Sequence, residues 1–243
     1  MRLSVQLYTV RDALTADLEG TLAALKAIGL EYVELAGMYD RSAAEWKALL
    51  DANGLKASGA HTGLDRVTGD LDAVIDEAKT IGFNYVIVPW VGAETYADGW
   101  DTFAQSLNPI GVKLKEAGLT LAYHNHAFEF VDNGLDTFYA AADPSALVAE
   151  LDLAWIQIGG ADPAAYIEKM SGRVPLVHLK DYDPTKSPQW QPAGSGTVDY
   201  DAILPACEAA GVQFGCIELD ESAIDPIDAV RASFEFLSGK GLQ

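Results

Sequence analysis

The sequence predicts a single (β/α)8 TIM barrel of the α/β class, one domain spanning residues 1–243, and three observations carry that prediction. The 243 residues match the ~250 of a complete barrel. A short cycle of helix pattern, glycine, apolar residue and β-rich run recurs along the chain. All four histidines fall at the ends of predicted strands.

The first strand is read at 3–7, within the opening MRLSVQLYTV. Strands two to five, at 32–36, 57–61, 85–90 and 120–124, follow Ile28-Gly29-Leu30, Asn53-Gly54-Leu55, Ile81-Gly82-Phe83 and Ala117-Gly118-Leu119. Glycine after a last helical turn takes the left-handed conformation that ends the helix, and the next apolar residue folds back on it. Strands six and seven are read at 148–153 and 174–180, and strand eight, at 214–219, follows Ala210-Gly211-Val212. Most of these runs are continuously apolar, as parallel strands covered on both faces require. Helix starts lie between them: a capping box at Ser42 to Glu45, and N-cap-proline pairs at Asp162-Pro163 and Asp225-Pro226. An open doubly wound sheet is the alternative. Against it, Tyr8-Thr9-Val10-Arg11-Asp12 stands where a G-x-G-x-x-G would follow the first strand.

Charge narrows the partners. Acidic residues outnumber basic ones by 36 to 16, a formal charge of −20, which repels nucleic-acid backbones and anionic membranes. A salt-rich habitat would produce the same balance. No apolar run reaches the ~18 residues of a membrane span, and the opening segment reads as a strand rather than a signal peptide. Cys207 and Cys216 read as buried thiols in a reducing compartment, so a cytoplasmic location is expected. Oligomeric state is not legible.

Barrel active sites are built at the C-terminal strand ends, and there the polar residues gather. His61 ends strand three, His124 and His126 end strand five, and His178 lies late in strand seven. Glu34, Glu129, Asp152 and Glu218 sit in apolar surroundings on or just past strands two, five, six and eight. A carboxylate so placed must be paired, hydrogen-bonded or bound to a cation. With few basic residues available, a metal is the economical partner. Glu34 reads equally well as a structural ion pair. Side chains two apart share a strand face, so His178 points with Lys180 and Glu150 with Asp152. Glu129 is out of phase with His124 and His126 and needs a bulge or the strand's end to join them.

Four segments resemble the sugar phosphate isomerase/epimerase family with the xylose isomerase-like barrel, which includes ketose epimerases, inosose dehydratases and hydroxypyruvate isomerases. They are His124-Asn125-His126-Ala127-Phe128-Glu129-Phe130, Glu150-Leu151-Asp152, His178-Leu179-Lys180-Asp181 and Ile217-Glu218-Leu219. The resemblance covers essentially the whole chain. It implies a metal held by Glu129, Asp152, His178 and Glu218. Where the ketose 3-epimerase branch carries a His and an Arg, this chain has Trp155 and Pro184, and His-Leu-Lys-Asp looks closer to the inosose dehydratase side.

Three carboxylates and one imidazole suit Mn²⁺ or Mg²⁺, with Co²⁺ and Zn²⁺ as alternates. Such an ion chelates a hydroxy-ketone and stabilises the enediolate left by carbon-bound proton loss. Glu129 and Glu218 then move protons, giving isomerisation or epimerisation, while loss of a β-hydroxyl gives dehydration. A sugar-binding barrel without turnover is the alternative of another class. Lys180 is read as a third catalytic group, or else as an ion-pair partner of a neighbouring acid such as Glu150. Glu34, His61, Trp90, His124, His126 and Trp155 are read as substrate contacts, and the substrate as a small carbohydrate. Tyr8 and Trp190 are further candidates for stacking on a sugar face. Residues 183–198 carry no pattern; Gly194-Ser195-Gly196 there reads as a lid hinge, a phosphate cradle or an ordinary mobile loop.

Overall fold

In the computed structural model, which describes residues 1–243, eight parallel strands close into one barrel. They are β1 (Arg2–Gln6), β2 (Tyr32–Ala36), β3 (Lys56–His61), β4 (Tyr85–Val88), β5 (Thr120–His124), β6 (Leu147–Asp152), β7 (Leu176–Leu179) and β10 (Phe214–Ile217). Between β7 and β10 lies a small antiparallel hairpin of β8 (Asp181–Tyr182) and β9 (Trp190–Gln191). The last strand closes on the first, with Leu3 beside Gly215 and Val5 beside Ile217. That closure excludes the open sheet.

Local chemistry sets the boundaries. The five helix-ending glycines all sit at positive φ, from 63° at Gly54 to 120° at Gly29. The capping box forms: Glu45 N–H donates to Ser42 Oγ, and Ser42 N–H donates to Glu45 Oε2 at 2.8 Å. Asp162 and Asp225 cap the helices that begin at Pro163 and Pro226. Two strands are shorter than predicted because proline brings no N–H to a ladder: β4 stops before Pro89 and β7 starts after Pro175. Trp90, expected inside β4, stands on the rim and is 58% exposed.

Two apolar layers result. The larger lies between the outward strand faces and the helices and includes the buried thiol of Cys207, whereas Cys216, also buried, faces the barrel interior beside Glu34 and His178. The smaller fills the lower barrel with Tyr85, Ile87, Ala122, Leu176 and Phe214, against which Tyr32 and Val148 pack. Above that plug the interior turns polar. Every second residue repeats the change: Val148–Glu150–Asp152, Leu176–His178–Lys180, Phe214–Cys216–Glu218. A register shift in the β2–β3 pairing at Val33/Glu34 lets both Ser58 and His61 face inward despite their odd spacing. Ser58 meets Ser4 at 2.8 Å, and His61 meets Glu150 at 2.8 Å. No helix is long and apolar enough to cross a membrane.

Candidate metal centre

Two polar layers cross the upper barrel. In the lower one, Gln6 Nε2 donates to Glu34 Oε1 at 2.7 Å, and His61 Nε2 lies 3.2 Å from Glu34 and 2.8 Å from Glu150. His124 Nδ1 lies 3.2 Å from Glu150, and His178 Nε2 lies 2.9 Å from Glu34. The upper layer holds Asp152, Glu218 and Lys180, with Asp220 beside them. Lys180 Nζ stands 3.1 Å from Asp152, 2.8 Å from Glu218 and 3.0 Å from Asp220. His178 joins the layers, its Nδ1 lying 2.7 Å from Glu218 Oε2.

Donor atoms of His124, Asp152, His178 and Glu218 all lie within 4.8 Å of one another, as do those of His61, His124, Glu150 and His178 one layer below. The structure therefore brings together three of the four residues expected to hold a metal, and adds His124. Glu129 does not join them. It sits in the turn after β5, where its carboxylate accepts from Tyr123 Oη and from the His126 N–H, both at 2.9 Å. Glu129 thus stands apart from the other three expected ligands in this structure, its carboxyl occupied by Tyr123 and the His126 N–H in the turn whose phase was noted above.

The electrostatics follow from burial and pairing. Burial opposes charge on Glu34, yet His178 and His61 hold its carboxyl well below the usual range. Burial likewise opposes charge on His61, while Glu34 and Glu150 push it up to about 9. His178 is held well above its ordinary value against burial by Glu150, Glu218 and Glu34. Burial, and then the repulsion of His178, keeps His124 well below. Burial raises Asp152 to about 6, with Lys180 working the other way. Imidazoles and Lys180 thus partner most of these acids, a role the sequence reading had left to a metal. The satisfaction is incomplete: Asp152 Oδ2, Glu150 Oε1 and Glu34 Oε2 are buried without a hydrogen bond, although Asp152 Oδ2 is within ion-pair distance of Lys180.

A cavity of about 510 Å³ opens over the upper layer. His61, Trp90, His124, His126, Trp155, Lys180 and Glu218 line it, as does Tyr8, which is 45% exposed. Glu34, read as a substrate contact, does not line it and lies beneath, fully buried. His126 Nδ1 and Trp155 Nε1 are buried without partners in the cavity wall. Lys180 pairs with Asp152, Glu218 and Asp220 rather than with Glu150. Asp220 went unread in the sequence, although it stands two positions past Glu218 on the same alternation. Trp190 is 6% exposed and packs on Lys180 and Trp155, unavailable to a sugar. The Gly194 and Gly196 N–H groups donate to Asp181, so no phosphate cradle remains there.

The enclosed Glu129 yields a stability prediction. Burial raises its carboxyl from 4.5 to about 7, so the folded chain keeps a proton that the unfolded chain loses first as pH rises. Stability from this group is present below about 4.5 and is lost as pH climbs through 7, by roughly 3 kcal/mol in all. In Glu129→Gln the amide oxygen accepts from the His126 N–H while its NH2 donates to the Tyr123 hydroxyl, so the neutral variant keeps both partners and loses only the titration. Urea unfolding is therefore expected to show the variant close to wild type at pH 5 and more stable than wild type at pH 8, by up to roughly 3 kcal/mol. A gap of constant size would contradict the titration.

A model of the xylose isomerase-like TIM barrel family matches residues 22–239. Inosose dehydratase from Clostridium perfringens is 32% identical over 84 residues, which is 34% of this chain and 28% of that protein. The match thus spans less than a third of the relative's length. A sugar phosphate isomerase/epimerase from Parabacteroides distasonis superposes with a TM-score of 0.85 at 21% identity, covering 97% of this chain and 93% of the other. A probable 3-DHS dehydratase from Bacillus anthracis superposes with a TM-score of 0.77 at 15% identity, covering 98% and 99%.

Proposed function

The chain belongs to the xylose isomerase-like TIM barrel family, and on that premise we propose that it is a divalent-metal-dependent isomerase or epimerase of a keto-sugar. The observation that carries the reading is the gathering of His124, Asp152, His178 and Glu218 donor atoms beside a cavity, with Asp152 Oδ2 lacking a hydrogen bond. These four would hold the ion. Two carboxylates and two imidazoles make a mixed oxygen and nitrogen set, which favours Mn²⁺, Co²⁺ or Zn²⁺ over Mg²⁺. Glu150 and Glu34 stand on the far nitrogens of His124 and His178, as carboxylates that fix ligand tautomers do. When bound, the ion polarises a ketone or hydroxyl oxygen and so acidifies the neighbouring C–H.

The remaining work belongs to side chains in the cavity wall. Glu218 takes the carbon-bound proton, and Lys180 returns a proton from beside it. The enclosed Glu129 takes no part. His126 Nδ1 and Trp155 Nε1, each without a partner, orient hydroxyl groups, and Trp90 offers an apolar face. An unphosphorylated substrate fits best, because the only Lys or Arg lining the cavity is Lys180, already among three carboxylates.

A dehydratase is the second reading, favoured by the same Lys180: an ammonium in the wall can protonate a departing hydroxyl. The test incubates Mn²⁺-loaded protein with dihydroxyacetone, D-fructose and a keto-inositol in heavy water, and analyses the sugars by NMR after the protein is removed. Deuterium beside the carbonyl is the expected result, with an aldose or an epimeric ketose for the first reading and, for the second, loss of water to an enol that tautomerises to a 1,2-dione. Binding without deuterium uptake would leave a sugar-binding barrel and overturn both.

A further inference from the structure

One buried carboxylate fastens the loop that follows β7. Asp181 comes directly after Lys180, so strand alternation turns it away from the cavity. It is 1% exposed and faces no Lys or Arg; its oxygens are spent on backbone. Oδ1 accepts from Tyr182 N–H at 2.8 Å and Val198 N–H at 3.1 Å, and Oδ2 accepts from Gly194 at 3.0 Å and Gly196 at 2.9 Å. Hydrogen bonds to an ionised acceptor are about twice as strong as neutral ones. Together they tie residues 194–198, which follow the hairpin, to the residue next to Lys180. Gly196 lies so close to Asp181 that a side chain there would collide with its carboxylate.

The hairpin delivers Trp190. Its indole lies 4.9 Å from Lys180 Nζ and 4.8 Å from the Trp155 ring. A lysine has four rotatable bonds and returns to water when its apolar stem loses cover. With Trp190 against it, the ammonium stays among Asp152, Glu218 and Asp220 at the cavity wall.

We infer that Asp181 is a positioning residue: by clamping residues 194–198 it seats Trp190 on Lys180 and so fixes where the ammonium meets the substrate. The inference rests on the proposed role of Lys180. Misplacement of a reacting group by ~1 Å can lower a rate by up to ~10²-fold, so a drop of about tenfold or more is expected here.

The test uses the full chain with saturating Mn²⁺. Asp181→Asn keeps the shape but presents an NH2 group to N–H donors. Hydrogen exchange read by mass spectrometry should show residues 190–198 losing protection while the barrel strands keep theirs. Product formation from the panel ketone that reacts best should show kcat lowered about tenfold or more, with KM changed by less than about threefold. Trp190→Ala should reproduce the kinetic loss, and the double variant should be no slower than the worse single. If Asp181→Asn does not fold, Gly196→Ala pushes the same clamp open from the loop side. A loosened loop with unchanged kcat, a slower enzyme with a fully protected loop, or additive losses in the double variant would each overturn the inference. Absence of ketone exchange in the wild type would instead sink the enzymatic reading and the kinetic half of this one, while loop protection still decides whether Asp181 is the clamp.

Discussion

Saturating Mn²⁺ is expected to raise the melting temperature of the purified, chelator-treated protein by roughly 5–10 °C. An ion present at about 100 times its Kd stabilises the folded state by about 2.7 kcal/mol, and a domain of this size gains about 2–4 °C per kcal/mol. The physical origin is the upper polar layer. Asp152 and Glu218 are buried, and Asp152 is raised to about 6 because Lys180 only partly offsets the cost of burying its charge. A divalent ion supplies the missing countercharge. His178 must give up a proton to become a ligand, and it is held well above its ordinary value, so binding should release protons and tighten as pH rises from 6 to 8. Asp152→Asn and His178→Gln should each abolish most of the thermal gain, whereas Glu129→Gln should keep it, since the Glu129 carboxylate serves Tyr123 and the His126 backbone. Calorimetry at two pH values in buffers of different ionisation heat reads both affinity and proton release. A gain that survives Asp152→Asn, or vanishes in Glu129→Gln, would move the ion to another set of residues.

The barrel was legible in the sequence because its cues are local. Gly29, Gly54, Gly82, Gly118 and Gly211 each end a helix by backbone sterics alone, and Ser42 with Glu45 needs only its own turn. Strand alternation likewise foretold that His178 and Lys180 share a face. Partnerships between strands were less legible, because they depend on stagger. The alternation leaves open which neighbouring acid Lys180 meets: Glu150 is one candidate, and the stagger sets it among Asp152, Glu218 and Asp220 instead. His124, read as a substrate contact, lies among the metal-competent donors because its strand places it inward beside Glu150, whereas Glu129 follows in a turn that faces Tyr123. The loop at 183–198 looked featureless because its order comes from Asp181, outside the segment, rather than from any pattern within it.

Lys180→Met is expected to separate two properties that share one side chain. The first is stability. Lys180 is 1% exposed and meets three carboxylates, so removing its charge leaves Asp152 buried without its cation and Glu218 with His178 as its remaining partner. Breaking a buried pair in this way costs about 3–5 kcal/mol. Metal-free Lys180→Met should therefore unfold at much lower urea than wild type, and Mn²⁺ should restore more of its stability than it adds to wild type, because the ion then answers charges that Lys180 had answered. The second property is catalysis, measured with metal saturating so that the fold is not in question. Removal of the carbon-bound proton needs a base and a polarised carbonyl, neither of which is the ammonium. A Lys180→Met isomerase should keep appreciable deuterium uptake beside the carbonyl. Expulsion of hydroxide also needs a proton donor, and loss of such a group typically costs ~10²-fold or more. A Lys180→Met dehydratase should thus lose product far more than it loses exchange. Both rates come from one time course in heavy water on the same ketone. Unchanged exchange together with unchanged turnover would make Lys180 a structural counter-ion for Asp152, Glu218 and Asp220, and the proton would have to return from another group in the wall.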